Sequence, residues 1–351
     1  MRILIYGAGA VGCYIGGHLA LAGHDITLLG RSRLAEAITT SGLTLQSGGI
    51  KQSISSISVK TNLQDAFSSE VAYDIIAFTM KAYDAAPAAA DLQPFLLTLP
   101  PIISFQNGVG SEDSLRMLFG PERIVSGTLL TAVSMPEPGT IIEEKQRGIA
   151  LADDVPAAKS ALEALSQTAL NISALPDSRS LKWSKLLLNM LGNATSAILD
   201  MPLSAIYADP RLFAIERAAF IEALHILELQ DIKLYDLPGT PVRLLASIMR
   251  WFPPVISRPL LKQKVARGRG EKPPSLLLAL RASSRKTEAA WLNGAVAGAA
   301  KQLGRAAPIN HALALTVSDI AAGRVPWDMY RQNPDMLLTT IRAAQGPQEK
   351  R

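Results

Sequence analysis

The stretch Arg2–Arg31, RILIYGAGAVGCYIGGHLALAGHDITLLGR, decides the fold class because it places a phosphate-binding motif in a complete structural context. The apolar run Ile3–Tyr6 predicts a buried strand, and three glycines follow it in the spacing GxGxxG. An apolar segment to about Ala22 predicts a helix, and Asp25–Leu29 predicts a second strand. A strand, a glycine-rich loop, a helix and a strand in this order predict a dinucleotide-binding α/β domain with a doubly wound, mostly parallel sheet.

Each glycine of the motif has a physical task. Gly7 permits the tight turn, Gly9 lets the backbone approach a pyrophosphate, and Gly12 lets the helix lie close to the sheet. The helix N-terminus supplies amides and a positive dipole end for the phosphates. Cys13 follows on that helix, where a small packing residue is a better interpretation than a nucleophile.

The end of the second strand indicates which nucleotide is bound. Proteins that bind NAD usually place an acid there to hold the ribose 2′-hydroxyl, but position 30 is glycine here, followed by Arg31 and Arg33. A missing acid and a nearby arginine favour the 2′-phosphate of NADP, with Arg31 as its contact. The alternative is that Arg31 is only a solvated loop charge.

Two further buried strands end near polar side chains. YDIIAFTMKAYD ends on Lys81, and PPIISFQNGVG ends on Asn107 and Gly108. Ligands of open α/β sheets bind beyond the carboxyl ends of the strands, so Lys81 and Asn107 are expected to line the nicotinamide side of the site. The alternative for the Asn-Gly pair is a plain turn. From Gly127 to Asp153, apolar stretches broken by turn residues predict antiparallel strands that close the domain.

Composition excludes several classes of function. The 351 residues allow two domains, with 48% hydrophobic, 19% charged and 5% aromatic residues and a net charge of +5. This balance suits a small anionic ligand and argues against nucleic acid. One cysteine and four histidines without ligand spacing argue against a metal site. We expect no signal peptide, no integral membrane segment and a cytoplasmic protein.

Beyond about Pro176 the periodicity becomes helical. Helices are expected at about 179–198, 209–230, 240–251, 274–283, 286–304 and 309–322, which predicts an all-α C-terminal domain. The LPDSRS loop marks the boundary between residues 1–176 and 177–351, with Asp177 or Ser178 as the cap of the incoming helix.

The segment KWSKLLLNMLGN, Lys182–Asn193, carries polar residues on an otherwise apolar helix. Lys185, Asn189 and Asn193 are spaced by four and would share one helix face, which is expected to face a cleft between the domains. A polar spot at SSRKTEAAWLNGAV adds Glu288, whose carboxylate near a lysine would keep the ammonium charged. The alternative for Lys185 is a lysine that extends its ammonium into solvent.

Five motifs in this order resemble the ketopantoate reductase family: the GxGxxG loop, TMK, QNGVG, the KWxKLLxNxxxN helix and KTExxxLNG. The resemblance covers most of the chain. It implies a Rossmann domain followed by a helical substrate domain, with NADPH as the cofactor. The implied reaction reduces the ketone of 2-dehydropantoate to D-pantoate, a step toward pantothenate and coenzyme A.

The resemblance also implies roles for individual residues. Lys185 matches the family's general acid, and Glu288 matches the acid that arranges the site. Asn107, Asn189 and Asn193 match residues that hold cofactor or substrate, while Lys81 and Arg31 match cofactor contacts. The residue types suit this chemistry, since an ammonium can stabilise the charge that grows on a carbonyl oxygen and then donate a proton.

Two departures from the family pattern concern the substrate. The family usually has a serine followed by a Gln-Asp pair upstream of the Thr-Glu motif. Ser275 is the nearest serine here, but it is one residue farther from Glu288 than in the family, so its role as a substrate ligand stays open. Leu278 and Ala279 stand about where the Gln-Asp pair is expected. The second departure is an insertion at about 231–273, rich in basic residues and with Glu271 as its only acid after Asp236. It could serve as a lid, an oligomer contact or a basic surface for lipid, or pack on the helical domain as a solvated insertion.

The expected partner is therefore a small 2-keto acid, and a homodimer is compatible with the sequence. Three alternatives stay open at this point. The first is a reductase or dehydrogenase of the same family that acts on a different 2-keto or hydroxy acid. The second is an NADP-binding sensor or scaffold that has lost catalysis, and the third is a dehydrogenase of similar two-domain build that acts on an amino or hydroxy acid in the oxidative direction.

Overall fold

The computed structural model describes residues 1–68, 72–269 and 273–346, with the backbone alone for 263–269. The described chain forms two compact units, and the domain boundary at residue 176 stays a prediction beside them. The first unit comprises Met1–Asn107, Ser111–Lys182 and Tyr235–Thr240, and the second comprises Gly108–Gly110, Trp183–Leu234 and the described residues from Pro241 onward.

The first unit contains an eight-stranded sheet and a four-stranded sheet. The strands are β1 (Arg2–Tyr6), β2 (Asp25–Leu29), β3 (Leu43–Ser47), β4 (Ile50–Ile54), β5 (Ile57–Lys60), β6 (Ile75–Phe78), β7 (Ile102–Ser104), β8 (Ile124–Leu129), β9 (Ala132–Glu137), β10 (Thr140–Lys145), β11 (Ile149–Ala152) and β12 (Ile172–Leu175). Its helices are α1 (Ala10–Leu21), α2 (Ser32–Ser41), α3 (Leu63–Ala66), α4 (Ala82–Asp91), α5 (Asp113–Phe119) and α6 (Ala158–Ser166).

The large sheet has the order β12-β11-β8-β7-β6-β1-β2-β5, and every neighbouring pair except β8–β11 is parallel. Successive residues of β1 face opposite sides: Ile3 and Ile5 join the core that contains Cys13 of α1, while Leu4 joins the core beneath α4 and α5. Helices thus cover both faces, which explains why central strands such as β6 are apolar at every position. The predicted α/β architecture with a mostly parallel sheet is confirmed.

The strands between Gly127 and Asp153 do not form one antiparallel layer. β9 and β10 pair antiparallel in the small sheet, of order β4-β3-β10-β9, whereas β8 and β11 pair antiparallel inside the large sheet. The prediction was right about the antiparallel pairs. The parallel pairing of β10 with β3, which lies far away in the sequence, was not predicted.

The second unit is helical, as predicted. The helix α7 (Ser178–Met190) runs from the first unit into the second. It is followed by α8 (Asn193–Leu199), α9 (Leu203–Ala208), α10 (Pro210–Leu229), α11 (Val242–Trp251), α12 (Pro254–Arg269), α13 (Ser275–Arg281), α14 (Asn293–Gln302), α15 (Pro308–Ala322) and α16 (Pro334–Gln345). Asp177 caps α7, because its carboxylate accepts a hydrogen bond from the Ser180 amide at 2.7 Å.

The predicted helix 179–198 is interrupted. α7 ends at Met190 and Gly192 adopts a left-handed conformation, φ +64°, before α8 begins at Asn193. A Cβ on Gly192 would lie 2.2 Å from Leu203 Cδ2, so the break requires glycine. Buried Glu216 of α10 stabilises the break by accepting a hydrogen bond from the Gly192 amide at 2.6 Å.

The basic insertion folds as α11 and α12, apart from residues 270–272, which lie outside the described residues together with the side chains of 263–269. The predicted helix 286–304 begins instead as a short 3-10 turn, Glu288–Trp291, before α14. Across the described part of the chain, no helix combines the length and the apolar composition needed to span a bilayer.

Candidate functional site

The glycine-rich loop has the shape required of a phosphate cradle. A Cβ on Gly7, which has φ +103°, would lie 2.5 Å from the Met80 amide nitrogen, and one on Gly12 would lie 2.6 Å from Thr79 Oγ1. A Cβ on Gly9 would meet nothing closer than 4.0 Å. Gly7 and Gly12 therefore serve packing, while Gly9 leaves open space beside the backbone, where a pyrophosphate could approach.

Thr79 connects this loop to the neighbouring strand. Its hydroxyl donates a hydrogen bond to the Gly7 carbonyl at 2.8 Å, just beyond the end of β6. Cys13 lies in the same region with no solvent exposure, and burial raises the pKa of its thiol to about 12. A protonated, inaccessible thiol is a packing group, which confirms that interpretation of Cys13.

The end of β2 has no room for a side chain. A Cβ on Gly30 would lie 3.0 Å from Ala8 Cβ and 2.9 Å from Leu34 Cδ2. Arg31 precedes α2 as its N-cap residue, and both Arg31 and Arg33 are exposed. The position that holds an acid in NAD-binding proteins is thus closed here, and the nearest side chains after it are cationic. The contact of Arg31 with a 2′-phosphate stays a prediction.

Lys81 and Asn107 follow two neighbouring parallel strands. Lys81 is the exposed N-cap residue of α4, three residues after β6, and half-buried Asn107 lies three residues after β7. β6 and β7 are paired, so both residues lie in loops at the same edge of the sheet as the glycine loop after β1. This is the edge at which parallel sheets bind ligands.

A buried ion pair supports the loop that carries Asn107. Lys182 Nζ lies 2.5 Å from Glu112 Oε1, with side-chain exposures of 5% and 2%, and donates a hydrogen bond to the Gln106 carbonyl at 2.8 Å. The same Glu112 oxygen accepts a hydrogen bond from Ser104 Oγ at 3.1 Å. Sequence reasoning missed this pair. The lysine at the start of KWSK was the available signal, but nothing in the spacing identifies Glu112 as its partner.

On α7, two of the three polar residues singled out in KWSKLLLNMLGN lie on an accessible stripe. Between Leu181 and Met190, only Lys185, Leu188 and Asn189 are not buried, and these positions lie on one face of the helix. Lys185 and Asn189 therefore present an ammonium and a carboxamide along one accessible line, although each also has contacts of its own.

Asn193 is not part of that stripe, because it begins the next helix and is 3% exposed. Its Nδ2 donates to the Asn189 carbonyl at 3.1 Å and to Ser275 Oγ at 3.3 Å, and its Oδ1 accepts from the Leu276 amide at 3.1 Å. The structure thus brings Asn189, Asn193 and Ser275 together. Asn193 ties α7 to the start of α13, which leaves the exposed Ser275 as the more accessible polar group.

Glu288 begins the 3-10 turn before α14 and is 5% exposed. The end of this turn meets the segment after Asn107, because the Val109 amide donates to the Trp291 carbonyl at 3.0 Å. Gly108 has φ +90°, and a Cβ there would lie 2.3 Å from the Trp291 carbonyl oxygen. The Asn-Gly pair is therefore a specific packing element and not a plain turn.

Asn293, in the same polar spot, has a structural partner. Its Nδ2 donates to Asn310 Oδ1 at 2.9 Å, and Glu222 in turn accepts the amides of Ile309 and Asn310 at 3.0 Å each. A neighbouring cavity of about 10 Å³, lined by Glu216 and Asn293 among others, has room for one water. Within the described ranges, no cluster of three or more His, Cys, Asp or Glu is arranged to hold a metal ion.

Comparisons with known proteins place the chain in a family. The model described as "Ketopantoate reductase PanE/ApbA" matches residues 3–154, and its C-terminal counterpart matches residues 177–321. The chain is 28% identical over 321 residues to the 2-dehydropantoate 2-reductase of Pyrococcus horikoshii, covering 89% of this chain and 95% of that protein.

Two solved structures share the fold. A PanE/ApbA family ketopantoate reductase from Ralstonia eutropha JMP134 is 24% identical with a TM-score of 0.76, covering 92% of this chain and 99% of that one. A D-mandelate dehydrogenase, determined with NADH and anilino(oxo)acetate, is 20% identical with a TM-score of 0.75 and the same coverage. Because the two family models together match most of its length, the chain belongs to the ketopantoate reductase family.

Proposed function

We propose that this protein reduces the ketone of 2-dehydropantoate to D-pantoate with NADPH, with Lys185 as the general acid. Membership of the family makes it an oxidoreductase that acts on CH–OH groups and uses a nicotinamide cofactor. The substrate is supported by relatives named 2-dehydropantoate 2-reductase, among them those of Pyrococcus horikoshii and Archaeoglobus fulgidus.

The first unit has the residues to hold the cofactor. The open space at Gly9 and the amides at the start of α1 suit the pyrophosphate, and Arg31 suits the 2′-phosphate that distinguishes NADPH. Lys81 and Asn107, at the same sheet edge, suit the nicotinamide half. When bound, the cofactor supplies a hydride to the substrate's carbonyl carbon.

The accessible stripe of α7 is the observation that carries the proposed chemistry. Lys185 stands on the one face of this otherwise buried helix segment that a ligand can reach. Its ammonium would stabilise the negative charge that grows on the ketone oxygen and would then donate a proton from Nζ to that oxygen. Water would return a proton to Lys185 after the alcohol leaves.

The neighbouring polar groups would orient the substrate. Asn189, one turn along the stripe, offers an amide donor and acceptor to the hydroxyl groups of a small polar acid. Asn193 fixes Ser275 by a hydrogen bond at 3.3 Å, so that the serine hydroxyl has a defined position. Glu288, buried at the start of its turn, would arrange the site through its charge.

The second candidate function is the reduction of a different 2-keto acid. The observation that favours it is a residue of α13. Leu278, about where the family resemblance leads us to expect Gln-Asp, is 42% exposed. An apolar side chain in that place cannot hydrogen-bond a substrate hydroxyl, and it would favour a 2-keto acid with a larger apolar side chain.

The test is NADPH oxidation by the purified protein with 2-dehydropantoate, beside 2-ketoisovalerate and phenylglyoxylate. We expect kcat/KM to be at least about tenfold higher for 2-dehydropantoate. A preference for phenylglyoxylate would establish the second candidate, and no turnover of any 2-keto acid would refute both.

In the same assay, Lys185→Ala should lower kcat by roughly 10²–10⁴-fold while NADPH still binds, because only the proton donor is lost. Lys301→Ala is the matched control, since Lys301 is an exposed lysine on α14. Turnover of the Lys185 variant within about twofold of the natural protein would remove this lysine from the mechanism.

A further inference from the structure

The surface of α11 and α12 departs from the usual pattern of a solvated helix. Ser257 and Leu261 of α12 are buried, and α12 packs on α9 and α10. From Pro254 to Leu260, every exposed side chain of α12 is apolar, although charged residues normally lie on the solvent side of a helix. We call this surface the outward apolar face; it consists of Trp251, Phe252, Val255, Ile256 and Leu260.

The outward apolar face is strongly exposed. Trp251 is 72% exposed and Val255 is 76% exposed, and the other three side chains are each between 41% and 45% exposed. Two prolines, Pro253 and Pro254, join the helices within it and are also exposed. Isolated exposed apolar residues are ordinary, but a contiguous run from Trp251 to Ile256 marks an interaction surface.

Basic residues lie on the same two helices as this face. Arg243 and Lys262 are exposed, and Arg250 lies beside Trp251, its guanidinium carbon 4.8 Å from the ring centroid. Arg258 extends along α12 to donate to the Ala208 carbonyl, the last of α9, at 2.8 Å. Arg250 pairs with Glu228 of α10, but the sequence from Leu237 to Gly270 contains no acidic residue, so the segment carries a net positive charge that an anionic partner would complement.

We propose that the outward apolar face docks on an anionic phospholipid surface. A bilayer leaflet presents negative headgroups with hydrocarbon directly beneath them, which matches basic side chains around an aromatic and aliphatic centre. Tryptophan is the side chain best suited to the headgroup level, and Trp251 is the most exposed aromatic of the face.

A second copy of the chain fits this surface less well. Symmetric pairing through this face would bring two segments of net positive charge together. Since no acid is available within the segment, the like charges would repel each other. The proposed contact is with the lipid surface.

The experiment is sedimentation of the purified full-length protein with vesicles of phosphatidylcholine alone and of an equal mixture with phosphatidylglycerol. We expect binding to the mixed vesicles at low salt, with about tenfold or more weaker binding to phosphatidylcholine alone and at high salt. The emission of Trp251 should shift to the blue with mixed vesicles, and the shift should be lost in Trp251→Phe.

The double variant Trp251→Ser, Val255→Ser should lower the partition coefficient by about tenfold or more, because the buried apolar area is removed. Leu97→Ser and Met117→Ser are matched controls, since these side chains are 101% and 83% exposed outside this surface. Thermal unfolding of each variant checks that it is folded.

Three results would overturn the proposal. They are no binding to mixed vesicles, equal binding to both vesicle types, and binding that the double variant leaves unchanged. Light scattering of the protein without vesicles shows whether a second copy of the chain, and not lipid, covers this face. A dimer that dissociates in the double variant would assign the face to a second copy of this chain.

Discussion

At the residue scale, the proposed preference for NADPH depends on Arg31. β2 ends without an acid, and the packing of Gly30 against Ala8 and Leu34 excludes one without rearrangement. The first side chain beyond that closed position is a guanidinium at the N-cap of α2, and Arg33 follows two residues later. A phosphate would be attracted there, while an uncharged ribose hydroxyl would gain little.

Arg31→Ala should therefore weaken NADPH binding by about tenfold or more and change NADH binding by less than about threefold. Titration of both nucleotides by fluorescence measures the two dissociation constants. Arg33→Ala is the matched control and should have a small effect on either. Equal losses for NADPH and NADH in the Arg31 variant, or a larger NADPH loss in Arg33→Ala, would contradict the assignment.

At the scale of elements, the start of α7 is fixed to the loop after β7 by a buried ion pair. Lys182 touches Glu112 and the Gln106 carbonyl, and Glu112 also accepts the Ser104 and Ser111 hydroxyls. A buried ion pair of this kind seldom adds much net stability, but removal of one partner leaves an uncompensated charge. Through the Gln106 carbonyl, Lys182 attaches the start of α7 to the loop that carries Asn107.

We expect Lys182→Met to lower the free energy of unfolding by about 3 kcal/mol, since Glu112 stays buried without a cation. Adding Glu112→Gln to that variant should recover much of the loss, because the buried charge is removed. Urea unfolding measures both, and Lys159→Met, at an exposed position of α6, is the control. Additive losses in the double variant would show that the two residues are not coupled.

At the scale of the whole molecule, stability should depend on pH through a buried thiol. Burial raises the pKa of Cys13 to about 12 from an ordinary value of 9.0. Between these values the unfolded thiol ionises while the folded one stays protonated. The stabilisation is complete below about pH 9 and is lost as the pH rises toward about 12.

The free energy of unfolding should fall by about 1 kcal/mol more between about pH 8 and pH 10 in the natural protein than in Cys13→Ala. Urea unfolding at the two pH values measures this difference. The comparison cancels the buried tyrosines, whose ionisation contributes equally to both proteins. An identical pH dependence in the two proteins would show that the thiol does not control alkaline stability.

The sequence by itself determined the strand, glycine loop, helix and strand that begin the first unit, and the two later strands that end near Lys81 and Asn107. GxGxxG between a strand and a helix is a local pattern, because the turn, the helix start and the strand are contiguous in the chain. Helical periodicity likewise predicted α10 and α15 within a few residues.

Only the tertiary structure decided which polar residues are accessible. Lys182 and Lys185 lie three residues apart in one motif, yet the first is buried against Glu112 and the second stands on the accessible stripe. Asn193 is not part of that stripe, because the helix is interrupted at Gly192, where Leu203 packs against the backbone. These outcomes depend on residues distant in sequence, and a local pattern contains no information about contacts that form only when the chain folds.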